Sequence, residues 1–297
     1  VSRNGDILPD RLEALASERD LRHIEPAFRY RMLVSVTSPN DPYYRDGLLW
    51  GLDNSRAHVA WNDGYKGDGV VVAIIDSGIE YDHPDIADNM WRDAKGNFGH
   101  DFVLDLPDPR DTYGHGTKCA GIVAAVSNNE PMVGIAHKAQ LMAVRIFANG
   151  DKYAEEQQMA RAIHYAVDNG ARILSNSWGG PAASALISQA IAYAQSKDRL
   201  FVAAAGNSGR DNDCVPRIYP ASYEHENIVA VAAIDEYDTL SRSSNFGRDS
   251  VDIAAPGVRI WSTTTRDEGL YVPDDGTSFA APFVAGAAAL LWSKNQR

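Results

Sequence analysis

Four short stretches set residues capable of nucleophilic chemistry among glycines and small side chains: Asp76-Ser77-Gly78, Gly114-His115-Gly116, Gly206-Asn207-Ser208-Gly209 and Gly276-Thr277-Ser278-Phe279. A serine hydroxyl becomes a nucleophile when an imidazole takes its proton and a carboxylate fixes the imidazole tautomer and stabilises the imidazolium. Ser278, His115 and Asp76 are the residue types this needs, with His115 39 positions after Asp76 and Ser278 163 positions after His115. The amide of Asn207 could donate to a developing oxyanion. Each stretch alone has a plainer reading. Asp76 could close an Asx turn, His115 could be a loop residue, Gly206-Asn207 could be a turn, and Ser278 could be an N-cap. Chemistry is favoured because the four occur together.

The elements that must position them alternate between strand and helix. Gly69 to Ile75 is a continuous apolar run ending in Asp76, as expected of a strand buried on both faces. Residues 139–147, 172–174, 200–205 and 228–233 read as further strands. Helices are expected over 155–169, with Gly170 as a stop, and over 182–196, while a small-residue helix begins directly after His115. This alternation predicts a three-layer α/β fold, a mostly parallel central sheet with helices on both faces. In such folds function gathers at the carboxyl ends of strands, where Asp76 and Asn207 fall. From Phe279 to Trp292 no residue is charged, so a helix there must be buried. Pro282 is expected in its first turn, which puts Ser278 at the helix N-terminus beside unpaired backbone N–H groups.

The chain of 297 residues carries a net charge of −12 and has no basic clusters, which argues against nucleic acid or an anionic membrane surface as partner. No run of about 18 apolar residues appears, so no membrane span is expected. Cys119 and Cys214, its only two cysteines, cannot make a disulfide framework or a four-cysteine zinc site. The first 40 residues are more polar and charged than the remainder of the chain, and the breaker cluster Ser38-Pro39-Asn40-Asp41-Pro42 marks a boundary.

With Asp76, His115, Asn207 and Ser278 in this order, the blocks VVVAIIDSGIEYDHPDI, GHGTKCAGIVAA, ILSNSWGGP, VAAAGNSG and DDGTSFAAPFVAGAAALL closely resemble the subtilisin-like serine proteases. An α/β-hydrolase is disfavoured because Ser278 lies in G-T-S-F-A and the order is Asp, His, Ser. The resemblance spans 38–297 and implies a serine endopeptidase that works through an acyl-enzyme and needs no catalytic cofactor. Ser278 would attack, His115 act as base then acid, Asp76 orient it, and Asn207 hold the oxyanion. A catalytically silent binding module on the same fold is the alternative, and a processing protease with a narrow substrate a third reading.

The same resemblance implies that Ser177, Trp178, Gly179 and Gly180 pair with an extended polypeptide, opposite a wall around 149–153. Trp178, Ala204, Ala205, Gly206 and Ile218 would line the pocket for the residue before the scissile bond. None is charged, so apolar or aromatic residues are expected there. A structural Ca²⁺ site is implied, with side-chain oxygens from Asp41, Asp85 and Asn128 and backbone carbonyls from Val126, Glu130 and Met132. Residues near Asp101, Asp105 and Asp108 are not assigned a second site. Residues 1–37 resemble the tail of an inhibitory propeptide, cleaved between about Tyr30 and Asn40, so a secreted, monomeric zymogen product is expected. Members continue beyond the nucleophile's helix, so 38–297 is expected to be incomplete at its C-terminus. Lys118 and Phe279 depart from the family pattern, and Cys119 is expected to pack beneath the imidazole.

Overall fold

The computed structural model describes residues 39–148 and 153–295. The expected propeptide segment therefore lies outside the described residues. Three short helices, α1 (Pro42–Arg45), α2 (Trp50–Asn54) and α3 (Ala57–Asn62), lead into strand β1 (Val71–Asp76). Then come β2 (Gly99–Asp101), α4 (His115–Ala124), β3 (Gln140–Arg145), α5 (Glu156–Asp168), β4 (Ile173–Asn176) and α6 (Ala185–Ser196). The remainder is β5 (Leu200–Ala204), β6 (Ile228–Ile234), β7 (Ile253–Pro256), β8 (Ile260–Thr263), β9 (Tyr271–Asp274) and α7 (Thr277–Asn295).

The apolar run of β1 is buried because both faces of its sheet are covered. Val72 and Ile74 join the core under α4 and α7, with Val123 and Ala280. Ala73 and Ile75 join the opposite core under α5 and α6, with Ile163 and Ile191. Seven parallel strands run in the order β2-β3-β1-β4-β5-β6-β7, which is the expected three-layer α/β architecture. After β1 the chain builds toward β2 and β3 on one side, and from β4 onward it builds on the other. Between β1 and β4 the strand order therefore reverses, and a crevice opens at their carboxyl ends. Asp76 ends β1 there, Ser177 follows β4, and Asn207 follows β5. The antiparallel β8–β9 hairpin was not foreseen, because its four-residue strands carry mixed polarity.

Helix α7 corrects one expectation. It starts at Thr277, so Pro282 is its sixth residue and not in the first turn. A proline there has no N–H for the carbonyl four residues back, which belongs to Ser278. That carbonyl is served from outside the helix: Ser177 Oγ donates to it at 2.8 Å and Cys119 Sγ at 3.4 Å. The sequence of α7 could not reveal donors lying 101 and 159 positions away.

A stability cycle tests this arrangement in a Ser278→Ala background, which keeps the carbonyl and removes the hydroxyl. Ser177→Ala should cost about 1–3 kcal/mol by leaving a buried acceptor short of a donor. Adding Pro282→Ala restores an intrahelical N–H and should shrink that loss. Equal drops in melting temperature with and without Pro282→Ala would contradict it.

Candidate active site

His115 and Asp76, the expected base and its orienting acid, are held by local chemistry on two elements. Asp76 is 1% exposed at the end of β1, and its Oδ1 accepts from the Ser77 N–H at 2.7 Å and from His115 Nδ1 at 2.8 Å. The Asx contact is thus present alongside the pairing with His115. Asp111, which is not among the expected site residues, anchors the start of α4. Its carboxylate accepts from the backbone N–H of Gly114 and Thr117 at 2.9 Å and from Thr117 Oγ1 at 2.6 Å. Ser77 Oγ takes the Gly116 N–H at 2.9 Å, tying the helix to the strand. A Cβ at position 116 would sit 2.2 Å from the Gly78 carbonyl oxygen, so only glycine permits this approach. The D-x-x-G-H-G-T spacing of Asp111 ahead of the helix was the signal available for it.

Opposing effects act on the His115 imidazole. Burial pushes its pKa down, while the charge and hydrogen bond of Asp76, with the charge of Asp111, push it up, and the net shift is upward. The ring keeps 26% side-chain exposure. Phe279 packs near it with ring centroids 5.7 Å apart. Cys119 is 1% exposed, and its sulfur lies within 4.8 Å of the ligand-type atoms of Asp76 and His115, as expected of a thiol beneath the ring. Burial raises the thiol pKa well above its ordinary value, which keeps it protonated and able to donate. Lys118 pairs with Asp274 at 3.0 Å and Glu268 at 3.5 Å, clamping the β8–β9 hairpin onto α4.

Ser278 is 8% exposed in the first turn of α7, and its Oγ donates to the Ser177 carbonyl at 3.3 Å. Beside it, Asn207 Oδ1 accepts from the N–H and Oγ1 of Thr277 at 2.8 and 2.9 Å. That fixes the amide's orientation and leaves Nδ2 as the group with donors to offer. Gly276 makes room, since a Cβ there would stand 3.1 Å from Asn207 Nδ2 at a backbone φ of +140°.

Asp76, His115, Asn207 and the segment Ser177–Gly180 line one open cleft of about 690 Å³. Trp178 is pinned by its Nε1 donating to the Ile75 carbonyl at 3.1 Å. Gly180 exchanges both backbone hydrogen bonds with Tyr219 at 2.8 Å, so this end of the expected substrate-pairing segment already has a partner. Ile218 stands between the two expected pocket walls, its Cγ2 methyl 3.0 Å from a Cβ built on Gly179 and its Cγ1 3.5 Å from one on Gly206. Ala204 and Ala205 are buried at the end of β5, behind the cleft surface. On the opposite wall Tyr153 lines the cleft, while residues 149–152 lie outside the described ones.

The expected metal ligands also come together. Asp41 and Asp85 are both fully buried, and the loop 126–132 wraps them. Ser127 Oγ and the Asn128 N–H donate to Asp41, the Met132 N–H donates to Asp85 Oδ2, and the Glu130 N–H donates to Asn128 Oδ1. The Val126 N–H donates to the Asp85 backbone carbonyl at 2.7 Å. Asp85 Oδ1 has no hydrogen-bond partner among the described residues. Burial, with the charges of Asp41 and Glu130, outweighs the Met132 N–H and the nearby Tyr271 hydroxyl and pushes the Asp85 carboxyl up to about 7. The acids of the unassigned cluster all have partners: Asp101 pairs with Arg145, Asp105 with His100 and Arg161, and Asp108 accepts from Tyr81.

Residues 67–297 match the subtilase family. The chain belongs to that family. This subtilase is 41% identical over 260 residues to thermitase of Thermoactinomyces vulgaris, with 87% of each chain covered. It is 38% identical over 287 residues to a thermophilic serine proteinase of Bacillus sp. (strain AK1), covering 96% of this chain and 66% of that one. A solved cold adapted subtilisin-like serine proteinase superposes with a TM-score of 0.67 at 29% identity over 78% of both chains. The chain therefore carries a subtilisin-like serine protease domain. Among its described residues no helix is long and apolar enough to cross a membrane.

The subtilase pairing of Asp76 with His115 has a spectroscopic consequence. A raised imidazole pKa in the fold means His115 adds stability below its unfolded value near 6.5, and loses that contribution as pH rises through the higher folded value. NMR titration should place the His115 midpoint above about 6.5 and find it lower in Asp76→Asn. An unchanged midpoint would refute the assigned electrostatics.

Proposed function

We propose that this subtilase hydrolyses peptide bonds through an acyl-enzyme on Ser278. His115 takes the Ser278 proton as Oγ attacks the scissile carbonyl, then passes it to the leaving amine. A water deprotonated by the same imidazole then attacks the ester, and the imidazolium returns the proton to Ser278 Oγ as it leaves. Asp76 holds the tautomer and balances the imidazolium. Asn207 Nδ2 and the Ser278 N–H receive the oxyanion at the positive end of α7. The observation that carries the reading is the 2.8 Å Asp76–His115 contact on the cleft that Asn207 shares. A silent binding module is the weaker reading, because every catalytic position keeps its reactive residue type.

The substrate is an extended polypeptide laid along Ser177–Gly179, held by main-chain hydrogen bonds. Trp178, Gly206 and Ile218 carry no charge, so apolar or aromatic residues suit the pocket best. Secretion and an inhibitory role for residues 1–37 rest on the family resemblance. The match to the Bacillus relative covers 96% of this chain and so runs into that segment.

A fluorophosphonate probe should label the wild type on Ser278 and leave Ser278→Ala unlabelled. Asn207→Ala should lower kcat by about 10²–10³ with little change in KM, the range for loss of one oxyanion donor. Labelling that survives Ser278→Ala would overturn the assignment, and strong preference for Arg or Lys before the scissile bond would overturn the specificity.

Ca²⁺ is proposed at Asp41 and Asp85, with the Asn128 side chain and the carbonyls of Val126, Glu130 and Met132 completing an oxygen cage. Its support is the donor set and the orphaned, buried Asp85 Oδ1. Bound there, the ion would cross-link the N-terminal segment to the loop after α4. At a hundredfold excess over Kd it would add about 2.7 kcal/mol of stability. Chelation should lower the melting temperature of the wild type, Ca²⁺ should restore it, and Asp85→Asn should respond to neither. A wild-type melting temperature indifferent to chelation would refute the site.

A further inference from the structure

We infer that Asn245 and Asn212 are positioning residues for the oxyanion donor. They form a buried amide pair that fixes the loop carrying Asn207. The inference rests on the reading of Asn207 as that donor. Both side chains are 0% exposed. Asn245 Oδ1 accepts the backbone N–H of Ser208 at 2.8 Å and of Arg210 at 3.2 Å, while its own N–H donates to the Gly206 carbonyl at 2.8 Å. The residues on both sides of Asn207 are thereby tied to one side chain and its backbone. Asn245 Nδ2 donates to Asn212 Oδ1 at 3.0 Å, and Asn212 Nδ2 donates to the Ala205 carbonyl at 2.8 Å. The pair closes a ring of hydrogen bonds around Ala205–Arg210 in which each amide has a definite orientation.

Three features make this more than ordinary loop satisfaction. Gly206 has φ +110°, and a Cβ there would lie 2.6 Å from Asn245 Nδ2, so the loop is pressed against the amide. The segment bearing Asn245 is itself pinned, because Ser244 Oγ accepts from the Ala233 N–H at 2.9 Å and donates to the Asn245 carbonyl at 2.8 Å. Finally, Asn207 accepts two hydrogen bonds from Thr277 of the nucleophile's helix, both at its oxygen. The direction of its Nδ2 therefore depends on those two bonds and on where the 206–210 backbone lies, which Asn245 fixes from one side and the Gly206 N–H, donating to Thr277 Oγ1 at 3.1 Å, from the other. An oxyanion donor stabilises only a charge at hydrogen-bond distance in the transition state, so small loop shifts act on kcat.

The test is a kinetic double-mutant cycle on the full chain, with rates normalised to titrated active sites so that unfolded protein does not count. Asn207→Ala must first show its own kcat loss. If it does not, the reading of Asn207 fails, separately from this inference. Asn245→Ala should then lower kcat at least about tenfold with KM nearly unchanged, a part of the ~10²–10³ available from one donor. In the Asn207→Ala background the same change should cost less than about twofold, because the one donor carried by this loop is already gone. A full additive loss in that background, or no kcat loss in the wild type, would overturn the inference. If Asn245→Ala does not fold, Asn212→Ala enters the same cycle. It keeps both Asn245 acceptor bonds and should give a smaller loss with the same dependence on Asn207, and an additive loss would again overturn the inference.

Discussion

A carboxylate buried at the end of the central strand is the constraint on which this site depends. Asp76 is 1% exposed, and an ionised group removed from water is costly unless donors surround it. One donor, the Ser77 N–H, is local, and the other is the imidazole of His115, brought from a separate helix. The need to satisfy Asp76 and the need to orient a base are met by the same contact. Because β1 lies at the point where strand order reverses, that contact opens onto a crevice and not onto packed helix.

Around it, the structure repeatedly serves backbone groups from afar. Pro282 removes an intrahelical bond at the Ser278 carbonyl, and Ser177 and Cys119 replace it. The replacement donors come from the cleft segment after β4 and from the helix that bears His115. The helices that bear Ser278 and His115 and the segment after β4 thus meet at one carbonyl oxygen. Ser77 does the equivalent for the first turn of α4 and Asn245 for the loop after β5, while Asp111 and Asn212 add ties from closer in the chain. His115, Asn207 and Ser278 each sit at the end of a regular element whose loose backbone groups are tied down by side chains from elsewhere in the fold.

That pattern also explains what was legible in the sequence. The buried run before Asp76, the 3.6-residue spacing of Ala162, Ile163, Ala166 and Val167, and the uncharged helix after Ser278 each announce burial on a definite face. From them the layered α/β fold follows. The reactive types Asp76, His115, Asn207 and Ser278 were readable because glycine and alanine surround them. Most supporting residues were not, since Thr277, Asn212 and Asn245 resemble ordinary turn formers until the chain folds. Pro282 was misplaced for the same reason. Helix-local rules assign proline to a first turn, and only tertiary donors make its second-turn position tolerable. Ile218 was expected in the pocket, but its position between Gly179 and Gly206 emerges only when the two segments are brought together.

The central claim is that Ser278 and Asn207 converge on one reacting carbonyl, oriented by the Asp76–His115 pair. A crystal structure of the chain with an apolar peptide boronic acid tests it most directly. The expected result is boron bonded to Ser278 Oγ, with one boronate oxygen about 3 Å from both Asn207 Nδ2 and the Ser278 N–H. A boronate bound to another residue, or one whose oxygens point away from Asn207, would contradict it.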